Sequence, residues 1–212
     1  LNSKNKNIFK MLKNKNIYNL IHDQFDTNLN YDYSIQIRES RLKNINDKNY
    51  ACIAPFANWM PKEWPLTNFN KCCEILLKLG ISKIFVLGSK EDSKRFHLLN
   101  NNNDIRIINK CGSNHLLDDF ALLKKSSIFI GNDSGMMHLS SIANTPSICL
   151  FGPTDDNIYF PKLSEKSYLV RSAQSYRELT SHILNLNKYD KCLMNDISYD
   201  NVEMLMKKIL NG

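Results

Sequence analysis

The 212-residue chain has no Cys-x-x-Cys pair among its six cysteines, and none of its apolar runs reaches the length of a membrane span. The first absence speaks against a zinc knuckle or a dithiol redox centre. The second excludes a membrane-spanning helix within the sequence. The opening residues lack the charged, apolar and small-residue order of a secretory signal. The usual nucleotide fingerprints are missing too. There is no G-x-G-x-x-G, no G-x-x-x-x-G-K-S/T and no G-x-S-x-G nucleophile elbow. No Asp-x-Asp pair is present to hold a catalytic divalent cation, so no metal and no cofactor are expected. No internal repeat is evident.

What is present is ordinary for a globular protein: 42% hydrophobic and 23% charged residues. The net charge is +7, carried by scattered Lys often beside Asn in the first 50 residues. Such a surface is either simply solvated or suited to a phosphate-rich ligand or an anionic membrane face; no nucleic-acid motif accompanies it. Cys52, Cys72 and Cys149 lie inside apolar segments and read as small buried hydrophobes of a reducing compartment, the cytoplasm.

Residues 1–48 are Asn/Lys-rich with isolated apolar patches. They read as a linker or a remnant of a preceding half. From residue 49 the texture changes. Strands are expected at 50–56, 82–87, 105–108, 127–130 and 147–151, with an edge strand at 167–172. Helices are expected at 69–79, 91–99, around 116–123, at 134–143 and at 201–210. Short apolar strands alternating with amphipathic helices imply right-handed βαβ units. The expected fold is α/β, a doubly wound Rossmann-like parallel sheet over 49–212, with its ligand crevice beyond the carboxyl ends of the strands.

Five motifs fall at such ends. Gly131-Asn132-Asp133-Ser134-Gly135-Met136-Met137-His138 leaves a strand and opens a helix. It is either a plain helix cap or an anion site built from free N–H groups. Pro61-Lys62-Glu63-Trp64-Pro65 offers a lysine to a diphosphate, or is a surface lysine between two turns. Gly88-Ser89-Lys90-Glu91-Asp92 places carboxylates where dinucleotide folds bind ribose, or where a helix dipole favours them. Cys111-Gly112-Ser113-Asn114-His115-Leu116 is a capped turn able to wrap a base. Phe151-Gly152-Pro153-Thr154-Asp155 is a polar turn.

The order P-F-A-N, K-E-W-P, G-S-K-E-D, G-N-D-S-G-M-M-H and L-F-G-P-T-D, with the Cys192–Ile197 tail, resembles the C-terminal domain of glycosyltransferase family 9. That family includes the ADP-heptose:lipopolysaccharide heptosyltransferases. The resemblance covers roughly residues 50 to 211. It implies the C-terminal, donor-binding half of a GT-B type transferase, with inverting, metal-independent sugar transfer in the cytoplasm, at the inner face of the inner membrane. The implied partners are a nucleotide-sugar donor, ADP-heptose, and a lipid-linked saccharide acceptor. In this reading Lys62 neutralises the donor phosphates and Asp133 holds the sugar hydroxyls. Ala57 and Asn58 line the same loop, Glu91 binds the ribose (Lys90 or Asp92 if the register slips), and Ser113, Asn114 and Leu116 frame the adenine. Ser134 and Gly135 offer backbone N–H groups to the phosphate, and His138 supports the loop or is a packed structural histidine. The family's base and most of its acceptor site belong to an N-terminal Rossmann-like half, which 48 weakly patterned residues are too few to form. The chain, which opens on Leu1, is expected to be incomplete without it. A non-catalytic nucleotide-sugar-binding module is the alternative, and an epimerase-like enzyme a third.

Overall fold

The computed structural model describes residues 49–211 apart from 114, 162, 163, 184, 186 and 187. The expected linker or remnant at 1–48 and the proposed adenine contact Asn114 lie outside the described residues. Six parallel strands form one sheet in the order β3-β2-β1-β4-β5-β6. They are β1 (Tyr50–Ala54), β2 (Lys83–Val86), β3 (Ile107–Asn109), β4 (Ile128–Asn132), β5 (Ser147–Phe151) and β6 (Ser167–Arg171). The order reverses between β1 and β4, so the topological switch point lies between their carboxyl ends.

The strands β1, β4 and β5 are buried on both faces because helices cover both. Alternate residues divide into two cores. Ala51, Ile53, Ile84, Val86, Ile130 and Leu150 pack with Trp64 and with helices α1 (Leu66–Lys78) and α7 (Tyr199–Asn211). Tyr50, Cys52, Phe85, Phe129 and Phe151 face α3 (Leu116–Lys125) and α4 (Gly135–Ile142). All six cysteines are free, and five are buried. Burial pushes the thiols of Cys52 and Cys111 up to about 12, so they pack as inert apolar groups. Among the described residues no helix is long and apolar enough to cross a membrane.

Helix α1 ends as its sequence dictates. Gly80 takes φ +91°, Gly80 N donates to Leu77 O and Ile81 N to Leu76 O at 3.0 Å, the paired bonds of a Schellman cap. Two expectations need correction. The helix expected at 91–99 is a single turn, α2 (Lys90–Ser93), followed by a 3-10 turn at Phe96–Leu98. A Ser89/Asp92 capping box starts it, but Lys90–Lys94 carries no apolar stripe to propagate it, and Arg95 is drawn sideways to Glu63. The third strand begins two residues late. Asp104 accepts from the N–H of Arg106 at 2.9 Å and its carbonyl from Ile107 N at 2.8 Å, a turn that leaves Ile105 91% exposed. Two short helices, α5 (Asp156–Tyr159) and α6 (Tyr176–Thr180), flank β6.

The loops after β2 and β3 lock together. Gly112 N donates to Gly88 O at 2.9 Å, and Gly112 sits at φ +61°. A Cβ there would lie 2.3 Å from Lys90 Cα, which is backbone and cannot swing aside. Gly112→Ala is therefore expected to destabilise the fold by about 1–3 kcal/mol, from backbone strain and overpacking. Thermal unfolding of the variant checks this, and an unchanged midpoint refutes it.

Candidate functional site

The switch point carries a cleft of about 560 Å³. Its walls come from the loop after β1 (Ala54, Phe56, Ala57, Asn58), from Lys62, from the β2–α2 turn (Gly88, Ser89, Asp92) and from the start of α4. Thr154 and Tyr159 close the far side.

Buried polar residues position the loop after β1 and the Lys62 loop. Asn132, the last residue of β4, is fully buried. Its Nδ2 donates to Pro55 O at 2.8 Å, and its Oδ1 accepts from Trp64 N at 3.1 Å. One side chain thus ties the end of β4 to the end of β1 and to the Lys62 loop. Pro55 ends β1 because it has no N–H for the ladder, and its carbonyl turns to Asn132 instead. Glu63 is 7% exposed, and its Oε1 accepts from Ala57 N at 2.8 Å. The same carboxylate grips Arg95 in a two-point pair at 2.7 and 2.6 Å. That bond, the largest influence, holds the Arg95 guanidinium firmly charged. Arg95 also lies over the Phe56 ring at 4.7 Å.

The tail braces this loop from behind. Trp64 Nε1 donates to Ile197 O at 3.1 Å, Leu193 N to Pro61 O at 3.2 Å, and the Cys192 thiol to Glu63 O at 3.0 Å. Tyr199 stacks on Trp64, with ring centroids 6.4 Å apart. Met194 is fully buried against Gly152, where a Cβ would lie 2.5 Å from Met194 Cγ. The glycine of F-G-P-T is thus a seat for the tail.

Inside the cleft, Lys62 Nζ lies 3.3 Å from Asp133 Oδ2. The same oxygen accepts from Thr154 Oγ1 at 2.8 Å. Asp133 is 5% exposed, whereas the Lys62 side chain keeps 22% of its surface open to the cleft. Helix α4 begins at Gly135 with Ser134 as N-cap, yet no side chain caps it. Its first N–H groups therefore face the cleft with the positive end of the helix dipole. Of the two readings open for the G-N-D-S-G block, this geometry favours an anion site over a plain cap. Among the described residues no cluster of metal-ligating side chains occurs.

Eight of the residues given a role in the sequence line this one cleft: Ala57, Asn58, Lys62, Asp92, Asp133, Ser134, Gly135 and His138. Glu91, Ser113 and Leu116 do not. Glu91 is exposed on the outer side of α2, and it is Asp92, with Ser89, that faces the cleft. Asp92 Oδ2 is held by Ser89 N and Oγ, both at 2.8 Å. Ser113, on the neighbouring loop that Gly112 pins to α2, and Leu116, the first residue of α3, are exposed. Sequence reasoning missed four residues that shape the site. Glu63, Asn132 and Thr154 stood inside recognised motifs without a role, and Arg95 gave no signal because its partner is 32 residues away.

His138 stands one helical turn into α4. Its pKa is lowered from the ordinary 6.5, by burial above all; Asp133 opposes the shift and Lys62 adds to it. The folded protein therefore binds this proton less readily than the unfolded chain. His138 adds no penalty above the ordinary value, and stability is lost as pH falls through 6.5 toward the lower folded value. Melting curves between about pH 8 and about pH 5 should show this loss, reduced in His138→Gln. Identical slopes for both proteins would refute it.

Comparison with known proteins shows the family and the fold. The family model described as Glycosyltransferase family 9 (heptosyltransferase) matches residues 13–189, reaching into the stretch before the described residues. Lipooligosaccharide heptosyltransferase 2 of Haemophilus influenzae is 30% identical over 138 residues, 63% of this chain and 39% of that protein. Lipopolysaccharide heptosyltransferase 2 of Escherichia coli is 26% identical over 151 residues, 63% of this chain and 43% of that protein. The chain thus spans about two fifths of the length of such relatives. Among solved structures, E. coli ADP-heptose heptosyltransferase II superposes with a TM-score of 0.66 at 19% identity, over 82% of this chain and 50% of that one. A family 9 transferase from Veillonella parvula gives 0.64 at 21%, over 84% and 51%. These likenesses establish the α/β sheet as that of one half of a GT-B transferase. With the family match spanning most of its length, the chain belongs to glycosyltransferase family 9, the heptosyltransferase family.

Proposed function

We propose that this chain forms the donor site of a heptosyltransferase-like glycosyltransferase that moves a sugar from an ADP-sugar to a lipopolysaccharide core saccharide. The observation that carries the reading is the meeting of Lys62, Asp133 and the uncapped start of α4 at the switch point. Inverting transfer leaves a nucleoside diphosphate whose charge must be stabilised as the glycosidic bond breaks. Lys62 and the N–H groups of Ser134 and Gly135 supply positive charge for this without a metal ion. Asp133, held in place by Lys62 and Thr154, is suited to accept hydrogen bonds from sugar hydroxyls. Asp92, which faces the cleft, would take the ribose, and the neighbouring loop that Gly112 pins to α2 is the element nearest to hand for the adenine. One fold neighbour, an E. coli heptosyltransferase, was solved both with ADP and with ADP-2-deoxy-2-fluoro heptose, which supports ADP-heptose as the donor to try. The base for the acceptor hydroxyl, and the acceptor site itself, belong to the N-terminal half that the family resemblance implies.

Calorimetric titration of the chain with ADP, ADP-heptose and UDP-sugars tests the donor. ADP-heptose is expected to bind, and Lys62→Ala to weaken it by about ten- to a hundredfold, the value of a charge-assisted bond. Silence with every nucleotide-sugar, or binding indifferent to Lys62, overturns the reading.

A lipid-linked acceptor places the enzyme at the inner face of the inner membrane, where the net charge of +7 favours anionic lipid. Cosedimentation with phosphatidylglycerol vesicles should be strong at low salt and fall as salt rises. Binding absent at low salt refutes the membrane contact.

A further inference from the structure

Lys62 is the cation a donor diphosphate needs, yet it is paired with Asp133 Oδ2 at 3.3 Å. For Lys62 to serve a phosphate it must turn away from a carboxylate that is only 5% exposed. Leaving a buried carboxylate without its counter-charge is among the costlier events inside a protein. Something else must hold that oxygen. Thr154 Oγ1, 2.8 Å from the same Oδ2, is placed to do so, and its bond is shorter than that of Lys62. Thr154 comes from the turn after β5, whose Gly152 is seated against the buried Met194, so the hydroxyl arrives on a braced loop.

We propose that Thr154 is a positioning residue for donor binding: by holding Asp133 Oδ2 it lets Lys62 exchange that carboxylate for a diphosphate. The inference rests on the donor-site reading. In the resting arrangement Asp133 has two partners on one oxygen, an ammonium and a hydroxyl. An incoming diphosphate competes only for the ammonium. The hydroxyl has no charge to offer the phosphate and stays with Asp133, which keeps the carboxylate fixed for a sugar hydroxyl. Donor affinity is thus set by a competition between an internal anion and an external one. Thr154 tilts that competition toward the external one.

The competition predicts opposite effects for two neighbouring substitutions. Thr154→Val removes the hydroxyl at nearly constant volume. Oδ2 then depends on Lys62 alone, and binding of ADP and of inorganic pyrophosphate should weaken by about ten- to a hundredfold, the worth of one hydrogen bond to a charged group. Asp133→Asn removes the internal anion, and both probes should bind more tightly than to the wild type. In the Asp133→Asn background, Thr154→Val should then have no further effect, because no carboxylate remains to be held.

The experiment is a titration calorimetry cycle on the full chain: wild type, both single variants and the double, each with ADP and with pyrophosphate. Thr154→Ser, which restores the hydroxyl, is expected to bind like the wild type. That result separates a hydroxyl effect from damage to the turn. Should Thr154→Val fail to fold, the Thr154→Ser and Asp133→Asn arms still decide. Weaker binding of both probes to Asp133→Asn overturns the proposal. So does an equal loss from Thr154→Val with and without Asp133, or a failure of all proteins to bind either probe. If the pattern appears with pyrophosphate while no nucleotide binds, the competition stands and the donor reading falls. If nucleotide binds through Lys62 but the cycle shows no coupling, the donor reading stands and the proposal falls.

Discussion

The two hydrogen bonds of the buried Asn132 amide are the constraint on which the site depends. A parallel sheet opens a crevice where its strand order reverses, but the crevice has no definite shape until the loops leaving the two central strands are fixed to each other. Asn132 fixes them by accepting from Trp64 and donating to Pro55. An aliphatic residue at this position would leave a carbonyl and an N–H buried without partners, at a cost of about 1–3 kcal/mol each. Glu63 repeats the device one layer out, binding Ala57 N–H on one side and Arg95 on the other. The chemistry-bearing Lys62 is therefore presented by a loop with buried polar anchors on either side of it.

Much of this architecture was legible in the sequence. The alternation of apolar strands and amphipathic helices predicts a doubly wound sheet, and the strands at 50–54, 128–132 and 147–151 lie where apolar runs end at Pro, Asn or Gly. These runs are buried on both faces, so burial and propensity agree. Where they disagree the reading slips. Residues 91–99 look helical from their acidic start alone, but without an apolar face only one turn forms. Ile105 looks like a strand residue, but the Asp104 turn claims its backbone.

The site was legible as a set of strand-end motifs and less so as a set of contacts. Lys62 and Asp133 are 71 residues apart and belong to separate motifs; that they pair with each other is a fact of the switch point. Glu91 rather than Asp92 drew attention because both are acidic and neither spacing nor composition says which turns inward. The capping box decides it, since Asp92 must face Ser89 to reach its N–H. Thr154 is one polar residue in a polar turn, and only the fold brings it to Asp133.

The bracing of the Lys62 loop by the tail has a temporal side. Glu63 is joined to Cys192 and Trp64 to Ile197 across 129 and 133 residues. During synthesis all six strands emerge before these partners do. A nascent chain that has reached β6 can pair its whole sheet while the wall behind Lys62 is still missing its backing. Assembly of the sheet and maturation of the cleft are thus separate events, and the second waits for Cys192–Ile197 to follow β6.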